Sequence, residues 1–239
     1  MNVFGNFKIG TRLIAGFLIV VALTITVGML GIRNLEHVNE LSDQMYDREL
    51  ISLNNIQSAN VQLIYVGRSL RSSLLATSLE ERDSSIKRTR EAISKMYEYI
   101  ELTRTSFVTP EGLAQFESLS EPVAAYVQTV EQALKLREAS SEVRPADELT
   151  VMLPQLRETG NKADDLLTAL VERKVANAKE ANEQITGIYL DSRTQMIALV
   201  IIAAVLGFGI GILVTRSITR PLNHAVSVAD ALAAGDLSV

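Results

Sequence analysis

Two uncharged stretches set the strongest limit on what this chain can fold into. Leu13 to Ile32 reads LIAGFLIVVALTITVGMLGI, and Met196 to Thr215 reads MIALVIIAAVLGFGIGILVT. Each is about 20 residues long, the length at which an α-helix crosses a ~30 Å hydrocarbon core. A helix is also the form in which a single segment satisfies all of its own backbone groups in lipid. For the first stretch the alternative is a cleaved secretory signal, but its apolar run exceeds the ~7–15 residues of such a region and no clear A-x-A site follows. The expected organisation is therefore an N-terminal tail (1–12), a first span (13–32), an outer domain (33–195), a second span (196–215) and a tail (216–239).

Positive charge close to a span is retained in the cytoplasm. Lys8 and Arg12 precede the first span and Arg216 and Arg220 follow the second, so both ends are expected inside and the domain from Arg33 to Arg193 outside, in the periplasm. That domain carries 26 Asp and Glu against 19 Lys and Arg, a balance unsuited to nucleic acid. Cysteine is absent, which removes disulfide frameworks and thiolate sites. The two histidines, His37 and His224, are too far apart in sequence to suggest a zinc or hydrolytic site. Neither metal nor cofactor is expected, and no enzymatic activity.

Apolar residues recur at spacings of three and four throughout the outer domain, which predicts helices. The first continues from the span along Leu35, Val38, Leu41, Met45, Leu53, Ile56, Leu63, Val66, Leu70 and Leu74 and stops near Ser78. Ser78-Leu79-Glu80-Glu81 has the form of a capping box and starts the second. Its seam is Ile86, Thr89, Ile93, Met96, Ile100, Thr103 and Phe107, the narrow stripe of a bundle. Thr109-Pro110-Glu111 supplies a cap, a proline at the first helical position and an acid in the first turn. The third helix then buries Leu113, Phe116, Leu119, Val123, Val127, Val130 and Leu134. After the polar run Ser140-Ser141-Glu142-Val143-Arg144, Pro145 opens a fourth. That helix continues through Leu149, Met152, Leu156, Ala163, Leu167, Leu170, Ala181, Ile185 and Ile188 into the second span. The outer helices, each about 47 residues, reach roughly 70 Å, and the inner pair of about 28 residues covers their distal part. An all-α fold follows: an antiparallel four-helix bundle continuous with two transmembrane helices. In the second span Gly207 and Gly211 form G-x-x-x-G, a pattern that permits close helix packing.

Beyond the second span, Ser217-Ile218-Thr219-Arg220-Pro221-Leu222 and then Ala229, Leu232, Ala233, Gly235, Asp236 and Leu237 resemble the opening of a HAMP relay domain. In that domain the first helix starts after an arginine-proline pair and ends near glycine-aspartate-leucine. With the four-helix outer domain, the whole chain resembles the N-terminal half of a methyl-accepting chemotaxis receptor. The resemblance implies a homodimer or higher homo-oligomer in the bacterial inner membrane, with signal relay through Arg220, Pro221, Gly235 and Asp236. Cytoplasmic chemotaxis proteins would be engaged only through a C-terminal half beyond Val239. The alternative is the sensory front end of a histidine kinase or nucleotide cyclase.

Receptors of this kind that resemble the aspartate and dicarboxylate sensors bind small anions near the distal end of the bundle, at a dimer interface. They use arginines of the first helix and a hydroxyl-rich turn of the fourth. The resemblance thus implies a small carboxylate-bearing ligand, an organic acid or amino acid, held by Arg68 and Arg71. These two stand three apart on one helical face beside Leu70, and guanidinium forks suit carboxylates. Arg68 lies about 54 Å along its helix from the membrane end. The same reach along the fourth helix arrives near Thr159, and along the inner helices near Arg88, Arg90 and Tyr126, which are weaker candidates. A further arginine of the aspartate sensors is replaced here by Gln62, and the tryptophan that anchors the second span in many members is absent.

Overall fold

The structure, a computed structural model, describes residues 9–140 and 147–233. Among these, all regular structure is helical: α1 (Ile9–Gln44), a π-helical insert (Met45–Leu50), α2 (Ile51–Leu74), α3 (Leu79–Thr103), a 3-10 turn (Arg104–Ser106), α4 (Pro110–Glu117), α5 (Ser120–Ala139) and α6 (Asp147–Ala233). The turn residues 141–145 expected before the fourth helix, and Gly235 and Asp236 of the expected relay, lie outside the described residues. The chain divides into two compact units, Met1–Asn39 with Ile185–Val239, and Glu40–Gln184.

The unit Glu40–Gln184 holds the four-helix bundle. Its core follows the predicted seam, with Ala59 in addition: Ile56, Ala59, Leu63, Val66 and Leu70 of α2 meet Ile86, Ile93 and Met96 of α3, Val123, Val130 and Leu134 of α5, and Leu149, Leu156, Ala163, Leu167 and Leu170 of α6. Each such leucine or isoleucine contributes about 1.5–3 kcal/mol by leaving water. Leu35 and Leu113 are corrections, since both are exposed, while Gly112 and Phe116 beside Leu113 are buried.

Local chemistry sets the helix ends. The Glu81 N–H donates to Ser78 Oγ at 3.1 Å, which is the expected cap. The Glu81 carboxylate, however, accepts from the N–H and hydroxyl of Thr77, at 2.9 and 3.0 Å, one residue before the position a capping box prescribes. Thr109 Oγ1 accepts from Gly112 N–H at 3.1 Å, with Pro110 at the first helical position. Exchanging such a cap for alanine costs about 1 kcal/mol.

The third helix is not continuous. It closes at Glu117 and reopens at Ser120, because the Ser118 hydroxyl takes the Gln115 carbonyl at 2.6 Å and Leu119 N–H bonds to Phe116 O, three residues back, at 3.1 Å. The tightened turn rotates the chain. Phe107, expected at the end of the second helix, instead sits in the turn beyond it, with its ring 5.0 Å from that of Phe116.

Among the described residues of this unit, three cations are buried: Arg82, Arg137 and Lys174. Arg137 Nε donates to Ser73 O in the last turn of α2 at 3.0 Å. Arg82 donates to Arg137 O and Ser140 O at the end of α5, at 3.4 and 2.6 Å, and pairs with Asp83. Helix ends leave carbonyls without intrahelical donors, and these arginines supply donors to them.

In the other unit, α1 and α6 each contain a stretch apolar enough to cross a membrane, and neither stretch is buried within the chain. A soluble core helix would hide such a surface. Close packing between them falls on α1: a Cβ at Gly16 would stand 2.8 Å from Ile210, and one at Gly31 would stand 3.1 Å from Met196. Gly207 and Gly211, the expected packing pair, have nothing within 4 Å. The helix runs unbroken through Pro221.

Candidate functional site

α2, α5 and α6 enclose a groove of about 1030 Å³ in the Glu40–Gln184 unit. Its apolar wall is Leu63, Ile64, Leu70 and Leu74 of α2 with Leu153, Pro154 and Leu156 of α6, and its polar groups are Arg68, Arg71, Tyr126, Thr150, Arg157, Asn161 and Asp164. The three-residue spacing of Arg68 and Arg71 turns both guanidiniums to the groove side of α2. Both are exposed, and among the described residues neither has an ion-pair or hydrogen-bond partner for its side chain. Arg157 and Asp164 likewise form no ion pair there.

Tyr126 reaches this groove from α5 because two glycines leave space for it. A Cβ at Gly160 would approach its ring to 3.1 Å, and one at Gly67 would approach its hydroxyl to 3.4 Å. The residue is 5% exposed. Burial pushes its phenol up to about 12, against the opposing effect of the nearby Arg71 charge. It stays a neutral donor across the physiological range.

Pro154 has no N–H, so the Thr150 carbonyl, one turn earlier in α6, lacks its usual helical donor at the groove wall. The groove thus combines apolar walls, three guanidiniums, a carboxylate, an amide and a phenol. Such a concave, largely apolar surface with a few convergent polar groups is the usual form of a small-molecule site.

The remaining predicted residues lie elsewhere. Thr159 is not on the groove wall; its hydroxyl donates to Gln155 O of its own helix at 2.8 Å, and its neighbour Gly160 faces the groove instead. Arg88 donates to Ser85 Oγ at 3.0 Å. Arg90 forks onto Glu138 at 2.6 and 3.0 Å and reaches Glu131 at 3.4 Å. That bonding lowers the Glu138 carboxyl below its ordinary value and joins α3 to α5. Arg220 and Pro221 lie within α6, outside the bundle unit.

Sequence reasoning passed over Arg157, Asn161 and Asp164, which share one face of α6 at spacings of four and three, and over Pro154 and Gly160. The last two carried a signal, since proline and glycine inside a helical pattern mark a backbone or packing requirement.

Comparison with known proteins places these features in a family. The family described as "Four helix bundle sensory module for signal transduction" matches residues 6–189. A protein of Acetivibrio thermocellus named as a candidate sensory transducer is 24% identical over 166 residues, which cover 70% of this chain and 29% of that protein. YvaQ of Bacillus subtilis, also named as a candidate sensory transducer, is 19% identical over 222 residues, 93% of this chain and 38% of its own. The chain therefore spans well under half the length of either relative. No solved structure matches it.

Proposed function

Because the chain belongs to the four-helix-bundle sensory modules for signal transduction, we propose that it is the sensing part of a two-span chemoreceptor. In this reading α1 and α6 cross the bacterial inner membrane, the bundle stands in the periplasm as part of a homodimer, and the groove binds a small carboxylate-bearing ligand. The observation that carries the ligand class is the pair Arg68 and Arg71, two guanidiniums on one face of α2 that line the groove and pair with no carboxylate among the described residues. Guanidinium recognises carboxylate in a planar, two-bond geometry. Asp164 in the same groove favours ligands that also bear an ammonium group, hence an amino acid over a plain organic acid.

The continuity of α6 from Asp147 to Ala233 supports signal relay along this helix. Thr150 to Asp164, at one end of that helix, line the groove, and Arg220 and Pro221 lie near the other. A ligand that contacts two positions of α6 unequally shifts the balance between them, and a coupling of about 1–3 kcal/mol is typical. Output through HAMP and a cytoplasmic half belongs to the same reading.

The test is calorimetric titration of the chain in lipid nanodiscs with a panel of organic acids and amino acids, for the wild type and for Arg68→Ala and Arg71→Ala. Each replacement should weaken binding of the active compound by about 1.5–3 kcal/mol, the range for a hydrogen bond to a charged group. Arg→Lys should restore part of the loss, since it keeps the charge but not the fork. Unchanged affinity in both alanine variants would remove the site assignment.

A further inference from the structure

The first helix of the bundle contains one turn of π-helix, Met45–Leu50. A π turn bonds each N–H to the carbonyl five residues back rather than four, so it accommodates one residue more than the α-helix around it, and such turns are often functional. While packing holds the helix on both sides in register, the extra residue can only move along the helix.

α6 grips this insert. Lys174 is 1% exposed, and its ammonium donates to the Arg48 carbonyl inside the insert at 3.0 Å and pairs with Glu49 at 3.2 Å. It also donates to Ser106 O at 3.1 Å and lies 4.3 Å from the centre of the Phe107 ring. One turn further along α6, Asn177 Nδ2 donates to the same Glu49 carboxylate at 3.3 Å. The insert, the turn after α3 and α6 therefore meet at one cation. The donors from α6 to the insert are Lys174 and Asn177 among the described residues.

We propose that Lys174 is the pin of a movable π insert: it fixes the position of the extra residue at Met45–Leu50, and displacement of α6 releases it. The donors of a buried ammonium do not stretch. A shift of α6 by a fraction of one helical turn breaks the Arg48 bond, and the π turn then loses the partner that favours it over its neighbours in the same helix. The insert converts a small movement of α6 into a change of register in the helix beside it. The pin stands on the geometry alone, whereas its use in relay rests on the sensory reading above.

Hydrogen exchange of the full chain in lipid nanodiscs tests the pin directly and involves no ligand. Lys174→Met should raise exchange of the amides at residues 45–50 about tenfold while leaving those of α2 near Leu63 to Leu70 within about twofold. Deleting Asp47, an exposed residue of the insert, removes the extra residue. In that background Lys174→Met should change the same amides by less than about twofold. Should Lys174→Met unfold the bundle, the pair Lys174→Met with Glu49→Gln removes both charges and is compared with and without Asp47 in the same way. Equal effects in the two backgrounds, or none in either, would overturn the proposal. Because no ligand enters, failure here leaves the groove assignment standing, and failure of the calorimetric test leaves the pin standing.

Discussion

Tyr126 rests against Gly160: a Cβ added to that glycine would stand 3.1 Å from Cε2 of the ring and 3.5 Å from Cδ2. Glycine inside a helix costs about 1 kcal/mol relative to alanine, so its place in the middle of α6 is explained by what it makes room for. Gly160→Ala gains that propensity and forces Tyr126 to move by a few tenths of an ångström. The two effects oppose, and the melting free energy should change by less than about 1 kcal/mol. Ligand affinity should fall, because the displaced ring occupies the groove. Thermal melting and titration of this variant separate the two outcomes, and undiminished affinity would show that the slot does not shape the site.

Arg137 offers the larger stability effect. It is 0% exposed and its Nε holds the Ser73 carbonyl at the end of α2, while Arg82 holds the Arg137 carbonyl in turn. Arg137→Ala leaves a buried carbonyl without its donor and opens a cavity, which together should cost about 2–4 kcal/mol. Arg137→Met fills the volume without the charge or the donor and should lose about half as much. Burial, and after it the neighbouring Arg82 charge, lower the Arg137 pKa. Urea unfolding of the two variants measures the difference, and equal losses would show that the cavity has no part in it.

The seam of the bundle was legible in sequence because apolar spacing reports which face is buried, and Ile56, Met96, Val130 and Leu167 occupy it as expected. The buried cations were legible by the same spacing and were passed over. Arg82 precedes Ile86 and Thr89, Arg137 follows Val130 and Leu134, and Lys174 follows Leu167 and Leu170, each at an interval of three or four. A charge at a seam position is a buried charge, and its chemistry asks for carbonyl acceptors nearby. The π insert left no such trace, since no residue type marks an extra residue in a turn. Helical reach brought Arg68, Arg71 and Tyr126 to one groove. It placed Thr159 one residue from the wall, because reach along a helix fixes height and not facing.

Acid should weaken the start of α3. The Glu81 carboxyl is held below its ordinary value of 4.5, first by the Thr77 N–H and then by the Thr77 hydroxyl. A carboxyl with a lower pKa folded than unfolded binds fewer protons in the native state, so stability rises with pH across that window. Its contribution is complete above 4.5 and is lost as pH falls through the folded value. Glu81→Gln should therefore cost stability near neutrality and converge with the wild type in acid. Urea midpoints taken from about pH 6 to about pH 3 follow this directly. A gap between the two proteins that stays constant over the range would assign the effect of Glu81 to something other than its charge.

Orientation in the membrane has a clean test, because the chain has no native cysteine and each introduced thiol is the sole reactive one. Glu111 and Lys135 are exposed on the bundle, and Asn223 is exposed beyond the second apolar stretch. Positive charge near a span is retained in the cytoplasm, and Arg216 and Arg220 lie between that stretch and Asn223. Glu111→Cys and Lys135→Cys should then react with a membrane-impermeant maleimide in whole cells whose outer membrane has been permeabilised. Asn223→Cys should react only after the inner membrane is also opened. Neither Glu111 nor Lys135 lines the groove, so ligand-induced stabilisation of those two variants should match the wild type and serves as the folding control. Labelling of Asn223→Cys in intact inner membranes, with the bundle variants protected, would reverse the orientation and put the groove in the cytoplasm.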